Sequence, residues 1–203
     1  MAAVEFTRWY LAGYFFAVAI FYSARVLGEK ARIGRSPVFS GTIGTAHFAH
    51  HLAFRVFRAA ILVACCIRLV WPAFDAYLVP IGVLWHPAVI LTGDTLMLAS
   101  VSAALYVHFY LGREWRSGTR LDDEPRLITS GPFARSRNPM MIFVMMGQVG
   151  LFLALPTVFT LVCLVVGVWA VTAQVKVEEQ MLATRYGAAY EGYASQTPRW
   201  LMK

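Results

Sequence analysis

Long apolar runs constrain this chain more than any other feature of its sequence. Five stretches approach the roughly twenty apolar residues that a helix needs to cross a bilayer. They are residues 9–28, 52–71, 88–112, 139–155 and 157–175. Hydrophobic residues make up 59% of the 203 residues and charged residues only 14%, which is more apolar surface than a soluble domain of this size can bury. We therefore predict an all-α integral membrane protein, residues 1–203, with about five transmembrane helices in a single domain.

Positive charge is distributed unevenly between these runs. Residues 29–51 and 113–138 contain several Lys and Arg residues, whereas residues 72–87 contain none. The positive-inside rule places both basic loops and the C-terminal tail in the cytoplasm and the N-terminus outside. A composition rich in Ala, Val and Arg suggests a bacterial inner membrane. The net charge of +7 lies in short segments between apolar runs, which fits lipid headgroups and argues against nucleic acid as a partner.

Arg68 lies inside the second apolar run, where an unpaired charge is unfavourable. If the helix continues through Pro72, Asp75 lies near the same face, and we predict a structural ion pair between Arg68 and Asp75. The three cysteines lie in apolar runs and are expected to be small buried side chains without a disulfide. No Cys or His spacing typical of a metal site occurs, so we expect no metal.

The second basic loop ends with a signal for the start of a helix. Asn138 is a favoured N-cap residue and Pro139 a favoured first helical residue. Unpaired backbone N–H groups and the helix dipole make such a start a seat for an anion, beside Arg135 and Arg137. A capped transmembrane helix whose arginines contact lipid phosphates explains the segment equally well.

Two adjacent carboxylates, Glu178 and Glu179, follow the fifth apolar run. Successive helical residues point about 100° apart, so we expect only one of them to face inward. The last two runs join at Pro156 with almost no loop, which predicts a tight antiparallel hairpin that returns the acidic pair to the Asn138 end. The alternative is a solvated amphipathic tail helix with its apolar side chains on the membrane interface.

An anionic and a cationic seat side by side would suit a ligand that carries both charges. S-adenosylmethionine (SAM) is such a ligand, because it has a cationic sulfonium, a cationic amino group and an anionic carboxylate. Aromatic side chains near in sequence can add cation–π attraction to the sulfonium. They are Trp115, Phe133, Tyr186 and Tyr190.

The order of the residues in these two segments is itself distinctive. A Gly-Pro-Phe triplet and an Arg-Asn-Pro triplet precede the hairpin, and a Glu pair, a Leu, a Tyr-Gly pair, two tyrosines and a Pro follow it. These residues are Gly131, Pro132, Phe133, Arg137, Asn138, Pro139, Glu178, Glu179, Leu182, Tyr186, Gly187, Tyr190, Tyr193 and Pro198. Together they resemble the isoprenylcysteine carboxyl methyltransferase family and its bacterial relatives in the wider group of membrane-embedded phospholipid methyltransferases. The match covers roughly the last eighty residues and extends weakly upstream through residues 111–115.

The resemblance implies a SAM-dependent methyltransferase whose lipophilic acceptor enters from the bilayer, with a SAM-binding part at about residues 111–203. The resemblance assigns cofactor binding to Leu127, Thr129, Gly131, Pro132, Arg137, Asn138, Pro139, Glu178 and Glu179. For an acceptor that must lose a proton, Glu178 or Glu179 is the candidate catalytic base.

Three positions depart from the pattern of that family. The usual His is Asn138, a variant also found among the relatives, the usual Tyr is Met141, and an Arg often found four residues before the acidic pair is Gln174. We expect Met141 and Gln174 to contact the substrate. His108, near the cytoplasmic end of the third run, is a further candidate for substrate binding, although a local hydrogen bond explains it as well.

The expected acceptor is a membrane lipid or a small lipid-like molecule with a carboxyl or hydroxyl group. A phospholipid N-methyltransferase is the alternative enzyme, because that family has an Asn-Pro-Met variant of the element at residues 138–140. The alternative of another class is a non-catalytic membrane protein that keeps the fold, which predicts no affinity for SAM.

Overall fold

The computed structural model describes residues 2–34, 36, 38, 44–114 and 126–201. Most of this part of the chain is α-helical. The helices are α1 (Ala2–Ile33), α2 (Ala46–Val70), α3 (Pro87–Leu111), α4 (Pro139–Ala154), α5 (Val158–Tyr186) and α6 (Ala188–Gln196). Short 3₁₀ turns lie at Pro72–Leu78, Gly82–Leu84, Gly112–Glu114 and Gly131–Ala134. The prediction of an all-α protein is confirmed for the residues that the structure describes.

Three helices, α1, α3 and α5, are long and apolar enough to cross a membrane. The fourth apolar run forms α4, whose 16 residues span about 24 Å. The second run forms α2, which has 25 residues and also carries arginines. Many large hydrophobic side chains of the bundle are exposed on its outside, where lipid would cover them. The integral membrane character is thus confirmed, while the number of five spans remains a prediction.

Among the described residues, the most extensive helix–helix contact joins α3 and α4. Gly93 and Gly150 face each other there, and a Cβ atom added at Gly93 would lie 2.6 Å from the carbonyl oxygen of Gly150. Glycines allow two membrane helices to approach backbone to backbone. Ser100 of α3 also donates a hydrogen bond to the carbonyl of Phe143 at 2.8 Å. This contact fixes α4, and therefore the loop before it, against α3.

The helices α4 and α5 are joined by residues 155–157 alone. Thr157 begins α5 with a capping box, in which the backbone N–H and side-chain oxygen of Thr157 and Thr160 pair reciprocally at 3.2 Å. Ile81 donates to the carbonyl of Pro156 at 2.8 Å, which ties the connection to the segment before α3. This short, capped connection agrees with the predicted hairpin.

The predicted ion pair between Arg68 and Asp75 is formed, with Nε and Oδ1 2.5 Å apart. However, α2 ends at Val70, and Asp75 lies on the 3₁₀ turn Pro72–Leu78. The continuous helix assumed for this pair is therefore wrong, because a proline cannot extend the backbone hydrogen bonds of a helix. The cysteines are unpaired, and Cys66 is exposed although all three were expected to be buried.

Candidate functional site

Three segments that are distant in sequence meet where α4 begins. They are the loop of residues 131–138, the last turns of α5, and the C-terminal residues 190–200. The backbone N–H of Arg137 donates to the carbonyl of Pro198 at 2.9 Å. The hydroxyl of Tyr193 donates to the carbonyl of Phe133 at 2.7 Å. The C-terminal segment is therefore held on the loop by backbone acceptors.

Glu179 lies at the centre of this junction and is only 8% exposed. Its Oε1 accepts a hydrogen bond from Nδ2 of Asn138 at 2.9 Å and lies 3.3 Å from Nε of Arg137. Its Oε2 accepts from Nε and Nη2 of Arg199 at 3.0 and 2.8 Å. A buried carboxylate needs such compensation, because its desolvation is unfavourable. We call Arg137, Asn138, Glu179 and Arg199 the charge cluster.

Glu178 has a different environment. Nε2 of Gln174 donates to its Oε1 at 2.8 Å along one turn of α5, and the Glu178 side chain is partly exposed. Glu179 is thus the member of the acidic pair that faces the loop, as expected for adjacent helical residues. Gln174, expected to contact a substrate, lies beside Glu178.

Asn138 lies at the N-cap position of α4, but its side chain does not cap the helix. The predicted capping role is therefore wrong. Its amide instead donates to Glu179 and, at 3.3 Å, to the carbonyl of Arg199. The side chain is oriented so that Nδ2 donates a charge-assisted hydrogen bond to the buried carboxylate, and in this orientation Oδ1 does not accept from a backbone N–H of the first turn. Pro139 does occupy the start of the helix, as predicted.

The loop before the charge cluster contacts the end of α3. Gly131 has φ +60°, and a Cβ atom at this position would lie 2.5 Å from the ring of Tyr110. The hydroxyl groups of Tyr110 and Ser130 share a hydrogen bond at 2.8 Å. Gly131 is therefore required by its conformation and by the close ring. No sequence pattern pointed to Tyr110 as part of the site.

The other residues of this loop that were predicted to bind the cofactor lie before or within the 3₁₀ turn Gly131–Ala134. Leu127 and Thr129 lie in an irregular segment, with Leu127 partly buried and Thr129 exposed, and Pro132 lies in the 3₁₀ turn Gly131–Ala134. Met141 lies partly buried in the first turn of α4. These residues are near Arg137 and Asn138 in sequence, but no hydrogen bond of the described residues joins their side chains to the charge cluster.

Tyr190 is a further residue of the site. Its side chain is 4% exposed, and its hydroxyl has no hydrogen-bond partner among the described residues. Burial, and then the negative charge of Glu179, raises the pKa of Tyr190 to about 12. The phenol therefore stays protonated at physiological pH and can donate a hydrogen bond. A buried polar group without a partner needs an explanation, and a bound ligand is one. From the sequence, Tyr190 was predicted only as an aromatic contact to the sulfonium.

Arg199 was not predicted as a site residue. The only signal for it in the sequence is a basic residue after the late Pro198. Its hydrogen bond to Glu179 raises the pKa of the Arg199 guanidinium further, so the group remains charged under all working conditions.

His108 does not join the charge cluster in the described structure. It is fully buried between α3 and α1, where Nε of Arg25 donates to its Nε2 at 3.1 Å. Arg25 also pairs with Glu29 at 3.1 Å and donates to the carbonyl of Gly112. Because Arg can only donate, Nε2 of His108 must be the unprotonated nitrogen. The local hydrogen bond anticipated for His108 is present, whereas its contact with a substrate remains a prediction.

His50 and His51 lie in the first turns of α2. Among the described residues, no group of His, Cys, Asp and Glu is arranged to hold a metal ion. His50 packs edge-on against the ring of Trp169, with 4.8 Å between ring centroids.

Comparison with known proteins gives one match. A family model described as phospholipid methyltransferase matches residues 88–189, which is half of the chain. The matched part begins with α3, so it extends further upstream than the expected limit near residue 111. It ends just before Tyr190 and does not include Arg199. No curated protein and no solved structure matches the chain.

Proposed function

Because the chain belongs to the phospholipid methyltransferase family, we propose that it is a SAM-dependent integral membrane methyltransferase with a lipophilic acceptor. The observation that supports this proposal most directly is the charge cluster at the start of α4. It combines one buried carboxylate with two guanidinium groups and an amide, next to the unpartnered hydroxyl of Tyr190.

The donors and acceptors of this site fit the amino-acid part of SAM. Glu179 can accept a hydrogen bond from the ammonium group. The guanidinium groups and the N-terminus of α4 can bind the carboxylate. Tyr190 adds a buried donor. We propose that the loop residues Leu127, Thr129, Gly131, Pro132 and Pro139 complete the binding site, and that Glu178 borders it.

When bound, SAM supplies an electrophilic methyl group. The contribution of the chain is to align the acceptor with that group and to exclude water, since misalignment lowers the rate steeply. A carboxylate acceptor needs no base. For a hydroxyl or amine acceptor, we propose Glu178 or Glu179 as the base that removes the proton.

We propose that the acceptor is a small lipid-like molecule or membrane lipid with a carboxyl or hydroxyl group, as in isoprenylcysteine-type chemistry. Met141 and Gln174 lie beside the proposed cofactor residues and are our candidates for contacting it. The second candidate is the amine of a phospholipid, which is favoured by the description of the matched family.

The proposed orientation has five spans, an external N-terminus and a cytoplasmic site in the bacterial inner membrane. The basic residues support it, because Arg126, Arg135, Arg137 and Arg199 lie at the site end, whereas residues 72–87 at the other end contain no Lys or Arg.

The experiment is transfer of labelled methyl from SAM into organic-extractable material by membranes that contain the protein. Mild base releases methanol from a carboxyl methyl ester, whereas label in an ether or a methylated amine is stable. The matched variant is Glu179→Gln, which keeps the shape of the side chain and is expected to lower SAM affinity by roughly tenfold or more. A wild-type protein with neither methyl transfer nor SAM binding would leave the non-catalytic alternative.

A further inference from the structure

Arg199 lies outside the matched segment, yet it holds the residue at the centre of the site. Glu179 is buried, whereas the side chain of Arg199 is 42% exposed. Both hydrogen bonds of the Arg199 guanidinium end on one carboxylate oxygen, Oε2. Arg199 is thus the solvent-side partner of Glu179.

The backbone at this position is fixed independently of the side chain. The carbonyl of Arg199 accepts from Oγ of Ser136 at 3.1 Å and from the amide of Asn138, and the carbonyl of Pro198 accepts from the N–H of Arg137. Only the long side chain joins the guanidinium to this anchored backbone. The guanidinium can therefore change partner by rotamer changes alone, without movement of a helix.

The two oxygens of Glu179 differ in how easily they can be vacated. Oε1 accepts the hydrogen bond of Asn138 and lies 3.3 Å from Nε of Arg137, whose side chain is mostly buried. Oε2 is held by the half-exposed Arg199. An ammonium group that binds Glu179 must replace a donor at Oε1 or at Oε2. Arg199 at Oε2 is the most exposed of these donors, so its displacement disturbs the packing least. The displaced guanidinium would remain beside the ammonium group that replaced it. Pairing with an anion would offset the repulsion between these two cations.

An α-amino acid carries its carboxylate one carbon away from its ammonium group. On the basis of the proposed function, we propose that Arg199 exchanges partners: it pairs with Glu179 in the ligand-free protein and with the α-carboxylate of the cofactor in the complex. Each ion pair that opens is replaced by a new one, so no charge is left buried and unpaired. Arg199 would then be a cofactor-binding residue.

The test compares two ligands that differ only in this carboxylate. The dissociation constants of S-adenosylhomocysteine and of its analogue without the α-carboxylate are measured by calorimetry on the purified full chain in lipid nanodiscs. Wild type is expected to bind the complete ligand roughly tenfold to a hundredfold more tightly, the range of a charge-assisted hydrogen bond. In Arg199→Gln most of this preference is expected to be lost.

Two further variants make the result specific. Arg199→Lys keeps the charge and is expected to keep most of the preference. Lys176→Gln removes an exposed charge from α5 near the site and is expected to keep the wild-type preference. The unfolding temperature of each variant shows that the C-terminal segment remains folded.

An unchanged preference in a folded Arg199→Gln protein would overturn the proposal and assign the carboxylate to another group. Such a result would leave SAM binding itself intact. Absence of binding of both ligands by the folded wild-type protein would instead overturn the proposed function together with this inference.

Discussion

Arg68 and Asp75 form an ion pair across the point where α2 ends, and Arg8 of α1 binds the second carboxylate oxygen of Asp75 at 2.6 Å. Arg68 is 1% exposed, and its Nη1 has no partner in the described part of the chain. The carboxylate of Asp75 thus compensates two arginines from two helices. This contact ties α1 and α2 together at the end of the bundle opposite the charge cluster.

We expect Asp75→Asn to destabilise the protein by about 3–5 kcal/mol, because it removes the carboxylate that pairs directly with the buried Arg68. Unfolding by denaturant in detergent, followed by helical circular dichroism, measures this change. Arg8→Gln is the matched control: Arg8 is more exposed and its loss leaves the Arg68–Asp75 pair intact, so a smaller effect is expected. Equal effects of the two substitutions would contradict the role given to Arg68.

Gly93→Ala tests the contact between α3 and α4. The added methyl group would meet the backbone of α4, which cannot move aside as a flexible side chain could. We expect a loss of about 1–3 kcal/mol or more, the usual range for overpacking. Gly13→Ala in α1 is the control, since nothing lies within 4 Å of its new Cβ atom and alanine favours the helix. If both variants proved equally stable, the close packing of α3 and α4 would be refuted.

Tyr190→Phe and Tyr193→Phe are expected to differ in their effect on the stability of the ligand-free protein. Tyr190→Phe removes a buried hydroxyl without a partner, so the ligand-free protein is expected to be unchanged or more stable by about 1 kcal/mol. Tyr193→Phe removes the hydrogen bond to Phe133 and is expected to destabilise it by about 1 kcal/mol. Thermal unfolding gives both values. A clear destabilisation by Tyr190→Phe would mean that its hydroxyl has a partner in the ligand-free protein.

Alkaline pH is expected to destabilise the fold through the same two residues. Burial raises the pKa of Tyr190 and of Tyr193 from 10.0 to about 12. The folded state therefore binds these protons more tightly than the unfolded state, and this stability is complete below pH 10 and is lost as pH rises from about 10 to about 12. Unfolding curves across this range measure the slope. The Tyr190→Phe/Tyr193→Phe double variant should show a shallower fall, and an identical fall would exclude these tyrosines as its cause.

Hydropathy and the short connection at Pro156 were sufficient to predict the helices and the return of the acidic pair to the start of α4. Each predicted apolar run lies almost entirely within an α-helix, because hydropathy and helix length are local properties of the chain. The connection at Pro156 has only three residues, so α4 and α5 must run antiparallel. The hairpin therefore returns Glu179 to the end of the bundle where Asn138 lies, although the two residues are 41 positions apart.

The contacts that the side chains of the site make depend on the tertiary structure. The amide of Asn138 turns from the helix end to Glu179, and His108 pairs with Arg25 across α1 and α3. Arg199 contacts Glu179, and Tyr190 lies close enough for the charge of Glu179 to raise its pKa, because backbone hydrogen bonds fold the C-terminal segment onto the loop before α4. A buried carboxylate is stabilised by the donors that packing places within hydrogen-bond distance. Which donors these are depends on contacts between segments that are distant in sequence, and no local pattern records such contacts.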